Sequence, residues 1–173
     1  MKSALYQNIL GLMPRVYEQL KKSGNILDRN ELKDLKTHIL RGQNSLDNLE
    51  KVIRYFHAVG IIEQLKIDER SGTSKSIEEV VLSGKIYNNN LNMTFFEELE
   101  IGQWRALYLL SEIKMKCSQN FTLQKVYALK GSRINADSKG RILKQLEYLI
   151  DLGFLEKNGE EYSFLINDAV FSK

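Results

Sequence analysis

ILKQLEYLIDLGFLE, residues 142–156, and LEKVIRYFHAVGIIE, residues 49–63, read alike across an offset of 93 positions. Lys51/Lys144, Tyr55/Tyr148, Gly60/Gly153 and Glu63/Glu156 are identical. Apolar residues coincide at Leu49/Ile142, Ile53/Leu146, Phe56/Leu149, Val59/Leu152, Ile61/Phe154 and Ile62/Leu155. Agreement at ten of fifteen positions indicates a duplicated unit. In each copy the apolar residues recur at helical spacing, so one stripe of a helix is buried. The helix stops at Gly60 or Gly153, the residue type best suited to the left-handed conformation at a helix C-terminus. A strand begins immediately afterwards.

Working outward from the second copy, Asn158-Gly159 is a two-residue hairpin signal, and Tyr162 to Ile166 supplies the return strand. Upstream, Trp104 to Lys116 carries a stripe (Trp104, Leu107, Tyr108, Leu110, Ser111) suited to a first helix. Thr122 is a good N-cap for a short second helix through Leu129, with Leu123, Val126 and Tyr127 inward. Lys130-Gly131-Ser132-Arg133 breaks that helix. Ile134 anchors the turn, and a third helix starts near Asp137 or Ser138.

The first copy follows the same order more loosely. Leu5, Ile9, Leu12, Val16 and Leu20 form a helical stripe, with a kink or division expected at Pro14. Asp28 or Asn30 caps a second helix containing Leu32, Leu35 and Ile39. Arg41 to Asn44 forms the turn, and Ser45 caps a third helix through Val59. Strands at 61–67 and 77–82 flank a longer tip, residues 68–75, expected to be mobile. The run from Ser83 to Asn92, with three successive asparagines, reads as a linker. The expected organisation is therefore domain 1 at 1–83, a linker at 84–93 and domain 2 at 94–173. The fold class is mainly α with small β-hairpins (α+β).

The segment Lys139 to Phe164 resembles the third helix and wing of the winged helix-turn-helix superfamily, and the pattern extends over most of both halves. The resemblance implies two tandem winged-helix domains. It also implies a double-stranded DNA-binding role, most often in transcriptional regulation; a sizeable minority of the superfamily binds protein instead. Tandem winged helices also occur in plasmid or viral replication initiators and in subunits of larger complexes.

Charge distribution favours DNA. Between residues 114 and 144 the basic residues are Lys114, Lys116, Lys125, Lys130, Arg133, Lys139, Arg141 and Lys144, and Asp137 is the sole acid. The flanking segments are acidic on balance, so the cations are concentrated on one helix-turn-helix. In a winged helix the third helix enters the major groove with its N-terminal half. That assigns Ser138, Lys139, Arg141, Lys144 and Gln145 to the outer face. Arg141 can pair bidentately with guanine and Gln145 with adenine; Lys139 and Lys144 suit phosphates. Arg133, Lys125 and Lys130 can clamp the backbone. Ser138 and Gly140 are small enough to permit close approach. The competing reading of this face is a solvated helix surface.

The second wing, Glu156 to Glu161, offers one cation against three acids, which disfavours phosphate contact. Arg70 and Lys75 on the first wing are better candidates, with a flexible loop as the alternative. The first third helix, with Asn44, Asn48, Lys51 and Arg54 beside Asp47 and Glu50, is nearly neutral. Lys51 is its candidate DNA contact, and domain 1 could instead hold a homodimer or a protein partner. The apolar stripe of the first helix fits a core position better than a dimer interface.

Other classes are disfavoured. Cys117 is the only cysteine, and His38 and His57 stand apart, so neither a metal nor another cofactor is expected. His57 reads as a partly buried helix residue. Gly72 to Ser76 lacks the glycine spacing of a phosphate loop, and no nucleophile elbow or dinucleotide fingerprint occurs. The adjacent pairs Glu78-Glu79 and Glu160-Glu161 would point to opposite faces of strands. An enzyme is not expected. With no long apolar run and no apolar signal core at Met1 to Asn8, the expectation is a cytoplasmic protein without membrane contact.

Overall fold

The computed structural model describes residues 4–39, 46–68, 76–131 and 134–173. The chain is α+β, with helices predominating over small antiparallel sheets. The first half runs α1 (Ala4–Lys22), β1 (Ile26–Leu27), α2 (Arg29–Ile39), α3 (Leu46–Ala58), β2 (Ile62–Asp68) and β3 (Ser76–Leu82). After β4 (Asn90–Leu91) and α4 (Met93–Glu97), the second half repeats that order. It comprises α5 (Ile101–Lys116), β5 (Asn120–Thr122), α6 (Leu123–Leu129), α7 (Ala136–Asp151), β6 (Leu155–Asn158) and β7 (Glu161–Phe164). A final strand, β8 (Phe171–Ser172), pairs with β4.

Sheet orders repeat as well. The first is β1-β3-β2 and the second β5-β7-β6, all antiparallel. The junction between helix and hairpin is the same at the level of single hydrogen bonds. Gly60 and Gly153 take φ +88° and +86°. The Ile61 amide donates to the Phe56 carbonyl (3.0 Å) and the Phe154 amide to the Leu149 carbonyl (2.9 Å). Both bonds span the glycine and satisfy a carbonyl that the last helical turn leaves open. The 93-residue offset relates every partner.

Local capping explains where the other helices start. Asp28 Oδ1 accepts from the Glu31 amide (2.9 Å), and Thr122 Oγ1 from the Lys125 amide (3.3 Å). Asn135 caps α7 by accepting from the Ser138 amide (2.8 Å), one to two residues before the start expected. The helix α1 runs undivided through Pro14. Ile9, Leu12, Met13, Val16, Tyr17 and Leu20 are buried along it, and that packing holds the helix together across the missing amide. The same burial removes the α1 stripe from any dimer interface.

Two features of the organisation were not expected from the sequence. Residues 84–93 connect the halves but are themselves packed: Ile86 is fully buried, and Tyr17 donates its hydroxyl to the carbonyls of Ile86 and Asn89. Asn92 and β4 bond to the C-terminal segment, through the Asn92 amide to Val170 (2.8 Å) and its side chain to Ala169 (2.8 Å). The halves also share one hydrophobic core. Trp104 of α5 stacks on Tyr6 of α1 (5.1 Å between centroids), meets Tyr55 of α3 edge-on (4.9 Å) and lies beside Phe96 of α4 (6.1 Å). Such aromatic pairs add about 0.5–1.5 kcal/mol each beyond their buried area.

The second feature concerns α3. Its own core uses Leu49, Val52, Ile53 and Phe56, while its opposite side packs on α5. Arg54 Nε donates to Ser111 Oγ (3.0 Å), and His57 Nδ1 lies 2.8 Å from the same oxygen. The Arg54 guanidinium covers the Tyr108 ring (4.4 Å), and Lys114 donates to the Ala58 carbonyl (2.9 Å). Thus α3 is the central helix of the molecule. His57 is buried completely, where partial burial was expected.

Candidate nucleic-acid interface

In contrast to α3, α7 keeps one side open. Ile142, Leu146 and Leu149 are buried, and at about 100° per residue the stripe diametrically opposite is Gly140, Lys144, Glu147 and Asp151, all exposed. Sign changes along that stripe: its N-terminal half carries Lys144 with Lys139 and Arg141 on its flanks, and its C-terminal half carries the two acids. Asp137 lies in the first turn, where a carboxylate complements the helix dipole.

Of the five residues assigned to the outer face, Lys144 lies on that stripe and the other four divide between its two flanks. Lys139 leans to one side, its ammonium 5.3 Å from the centroid of Tyr127 on α6. Ser138, Arg141 and Gln145 fall on the other side, where Ser138 Oγ accepts from Arg141 (3.1 Å). These three line an open groove of about 600 Å³ whose remaining wall includes Arg105 of α5, Lys130 and Ile134. The Lys144 ammonium lies 6.0 Å from the Tyr148 ring. Rings beneath Lys139 and Lys144 hold the ammonium groups without neutralising them.

Arg105 is the functional candidate that the sequence reading missed. It follows Trp104 on a helix whose buried residues lie on several sides, and its exposure is evident once α5 and α7 are packed together. At their crossing a Cβ on Gly102 would stand 2.8 Å from Tyr148 Cε2, so the bare glycine of α5 makes room for the Tyr148 ring of α7. Gly140 is the converse case. It sits mid-helix, exposed, with no atom within 4 Å of where its Cβ would be. Glycine in a helix interior costs about 1 kcal/mol relative to alanine, and no packing contact in the fold requires one there.

The other cations of the basic segment divide as follows. Lys125 is exposed on α6. Lys130 forms an ion pair with Glu112 at 2.9 Å, which reduces the charge it can offer. Lys114, counted with the basic cluster, turns inward to the seam between the halves, where burial lowers its pKa to about 8. Arg133, Arg70 and Lys75 lie outside the described residues, as do the first turn at 41–44, the Ser45 cap and the tip of the first hairpin beyond Asp68. Below that tip, Arg29 bridges Asp68 (3.3 Å) and Glu78 (3.4 Å) across β2 and β3.

Lys51 does not join the α7 constellation as a helix-face cation. It is half-buried and shares the stripe of Tyr55 and Ala58, the stripe that α5 covers. Asn48 and Arg54, read as presented outward, are buried. In the second hairpin a tight two-residue turn forms one position later than expected: Asn158 ends β6 opposite Glu161, and the loop is Gly159-Glu160, with Gly159 at φ +64°. Its return strand ends at Phe164, and Glu160 belongs to the turn while Glu161 opens the strand. Lys157 lies over the Tyr162 ring (5.6 Å), leaving the acids at the tip.

Among the described residues, no helix is long and apolar enough to cross a membrane. The chain matches no protein-family model, no curated protein and no solved structure.

Proposed function

We propose that the two halves are tandem winged helices and that the protein binds double-stranded DNA, as a transcriptional regulator, with the N-terminal half of α7 in the major groove. One observation carries this reading: exposed Lys139, Arg141 and Lys144 surround a helix position, Gly140, kept free of any side chain. A bare helix face flanked by cations suits a surface that approaches a polyanion closely. Arg141 and Gln145, on the flank of the groove shared with Arg105, supply the base-edge chemistry. Arg105 and Lys125 extend the phosphate contacts to α5 and α6. The repeated helix order, sheet order and glycine junction support the fold assignment.

The test is binding of a fluorescent random duplex across a salt series. Each phosphate neutralised contributes about −0.9 to the log–log slope, so Lys139→Ala/Arg141→Ala/Lys144→Ala should flatten it by about 2–3 units. Lys51→Ala, on the helix that α5 covers, should leave the slope unchanged. Absence of binding at low salt, or equal slopes for wild type and the triple variant, would overturn the reading. The acidic tip of the second hairpin would then favour a protein partner within a larger complex.

A further inference from the structure

The seam between the halves opens on a cleft of about 210 Å³. Val59 and Ile62 of the first half form one wall, and Leu165, Ile166 and Phe171 of the C-terminal segment contribute the other. Lys114 also lines it. Its ammonium has three donors, and it uses one on the Ala58 carbonyl at 2.9 Å. Among the described residues no carboxylate forms an ion pair with it. The remaining charges of the cleft are otherwise disposed: Lys85 pairs with Asp168 at 2.7 Å, and Glu63 is exposed. At the rim Ile166 is 83 % exposed and Leu165 38 %, the former the most exposed large apolar side chain described.

The Lys114 ammonium also faces the Phe164 ring at 6.0 Å; a partly buried ammonium with no carboxylate partner, beside exposed aliphatic side chains, is unfavourable on both counts. A single molecule bearing one negative charge and an apolar body relieves both. We propose that this cleft binds a small monocarboxylate, its carboxylate on Lys114 and its apolar body against Leu165, Ile166 and Phe171. One ammonium matches one carboxylate rather than a multiply charged phosphate. Size follows from the volume: a cavity of about 150 Å³ accepts benzene, so one of this volume accepts a ring with a carboxylate attached. The site lies apart from the α7 face and does not depend on DNA binding.

Benzoate and its neutral isostere benzamide are suitable probes, titrated into the full chain and followed by calorimetry and amide chemical shifts. A charge-assisted hydrogen bond corresponds to roughly ten- to hundredfold in affinity. Benzoate should therefore bind saturably and at least about tenfold tighter than benzamide. Lys114→Met, which removes the charge and keeps an unbranched side chain one atom shorter, should abolish that preference. Ile166→Ser, at an exposed position, should weaken both probes and leave the fold intact. Failure of benzoate to saturate the folded wild-type chain, equal affinity for the two probes, or an undiminished preference in Lys114→Met would overturn the proposal.

Discussion

The helices α3 and α7 come from the same sequence pattern and end in the same glycine junction, yet they occupy opposite situations. Each buries its first stripe in the core of its own half. The second side of α3 is then covered by α5, and its residues there are chosen for contact: Tyr55 for Trp104, Arg54 and His57 for Ser111, Ala58 for Lys114. The corresponding side of α7 has no such cover and carries Lys144, Glu147 and Asp151. A repeat thus fixes local structure in both copies, while the neighbour each copy acquires decides whether a helix face is core or surface.

If the comparison is right, damage at the seam should unfold both halves together. Phe56, a core residue of its own half through Tyr17, is fully buried and also reaches Phe96 of α4, where the two cores join. Phe56→Ala should cost about 3–5 kcal/mol, with Trp104 fluorescence and far-ultraviolet circular dichroism reporting one coincident urea transition. Two separated transitions would show that the halves behave as independent domains after all.

A smaller effect, specific to the covered face of α3, is acid sensitivity. Burial, reinforced by the charges of Lys114 and Arg54, lowers the His57 pKa from its ordinary 6.5 to about 3. The unfolded chain therefore takes up a proton near pH 6.5 that the folded chain refuses. The associated stability is present above that pH and is lost as pH falls toward 3, by up to about 1.4 kcal/mol per unit. Urea midpoints at pH 4 and pH 7 should differ less for His57→Gln than for wild type. Identical pH dependence in the two proteins would remove His57 from the account.

The smallest effect separates the exposed face from the glycine junctions. Gly140→Ala should stabilise the protein by about 1 kcal/mol and weaken DNA binding, since a methyl group would enter the proposed contact. Gly153→Ala, at φ +86° and with Asn167 Nδ2 3.2 Å from the added carbon, should destabilise it instead. Thermal melts of the two variants beside the DNA titration distinguish these cases. A Gly140→Ala protein that binds DNA as tightly as wild type would leave that glycine without a role.

Much of this was legible in the chain because it is local. The helical stripes, the Thr122 cap and the paired glycines all depend on residues a few positions apart and form as read; the hairpin turn forms too, displaced by one residue to Gly159-Glu160. The strands β1 and β5, two and three residues long, carry too little periodicity to register; they exist because β3 and β7 offer them an edge. The packed state of 84–93 depends on the distant segment 168–172. The half-burial of Lys51 and the exposure of Arg105 were illegible for one reason. Which side of α3 is covered, and which side of α5 is free, is decided by how α3, α5 and α7 pack. A hint was available in α3, where Tyr55 and Ala58 make it apolar beyond a single stripe, as expected of a helix buried on two sides.

The contact between Gly102 and Tyr148 links the seat of α5 to the charged face of α7. Because α5 presents only a glycine there, any side chain at position 102 must push the Tyr148 ring aside. Tyr148 lies on α7 itself, beside the Lys144 ammonium. Variation at this one position, remote from the outer stripe of α7, therefore shifts the ring that neighbours Lys144 while every residue on the exposed face stays the same.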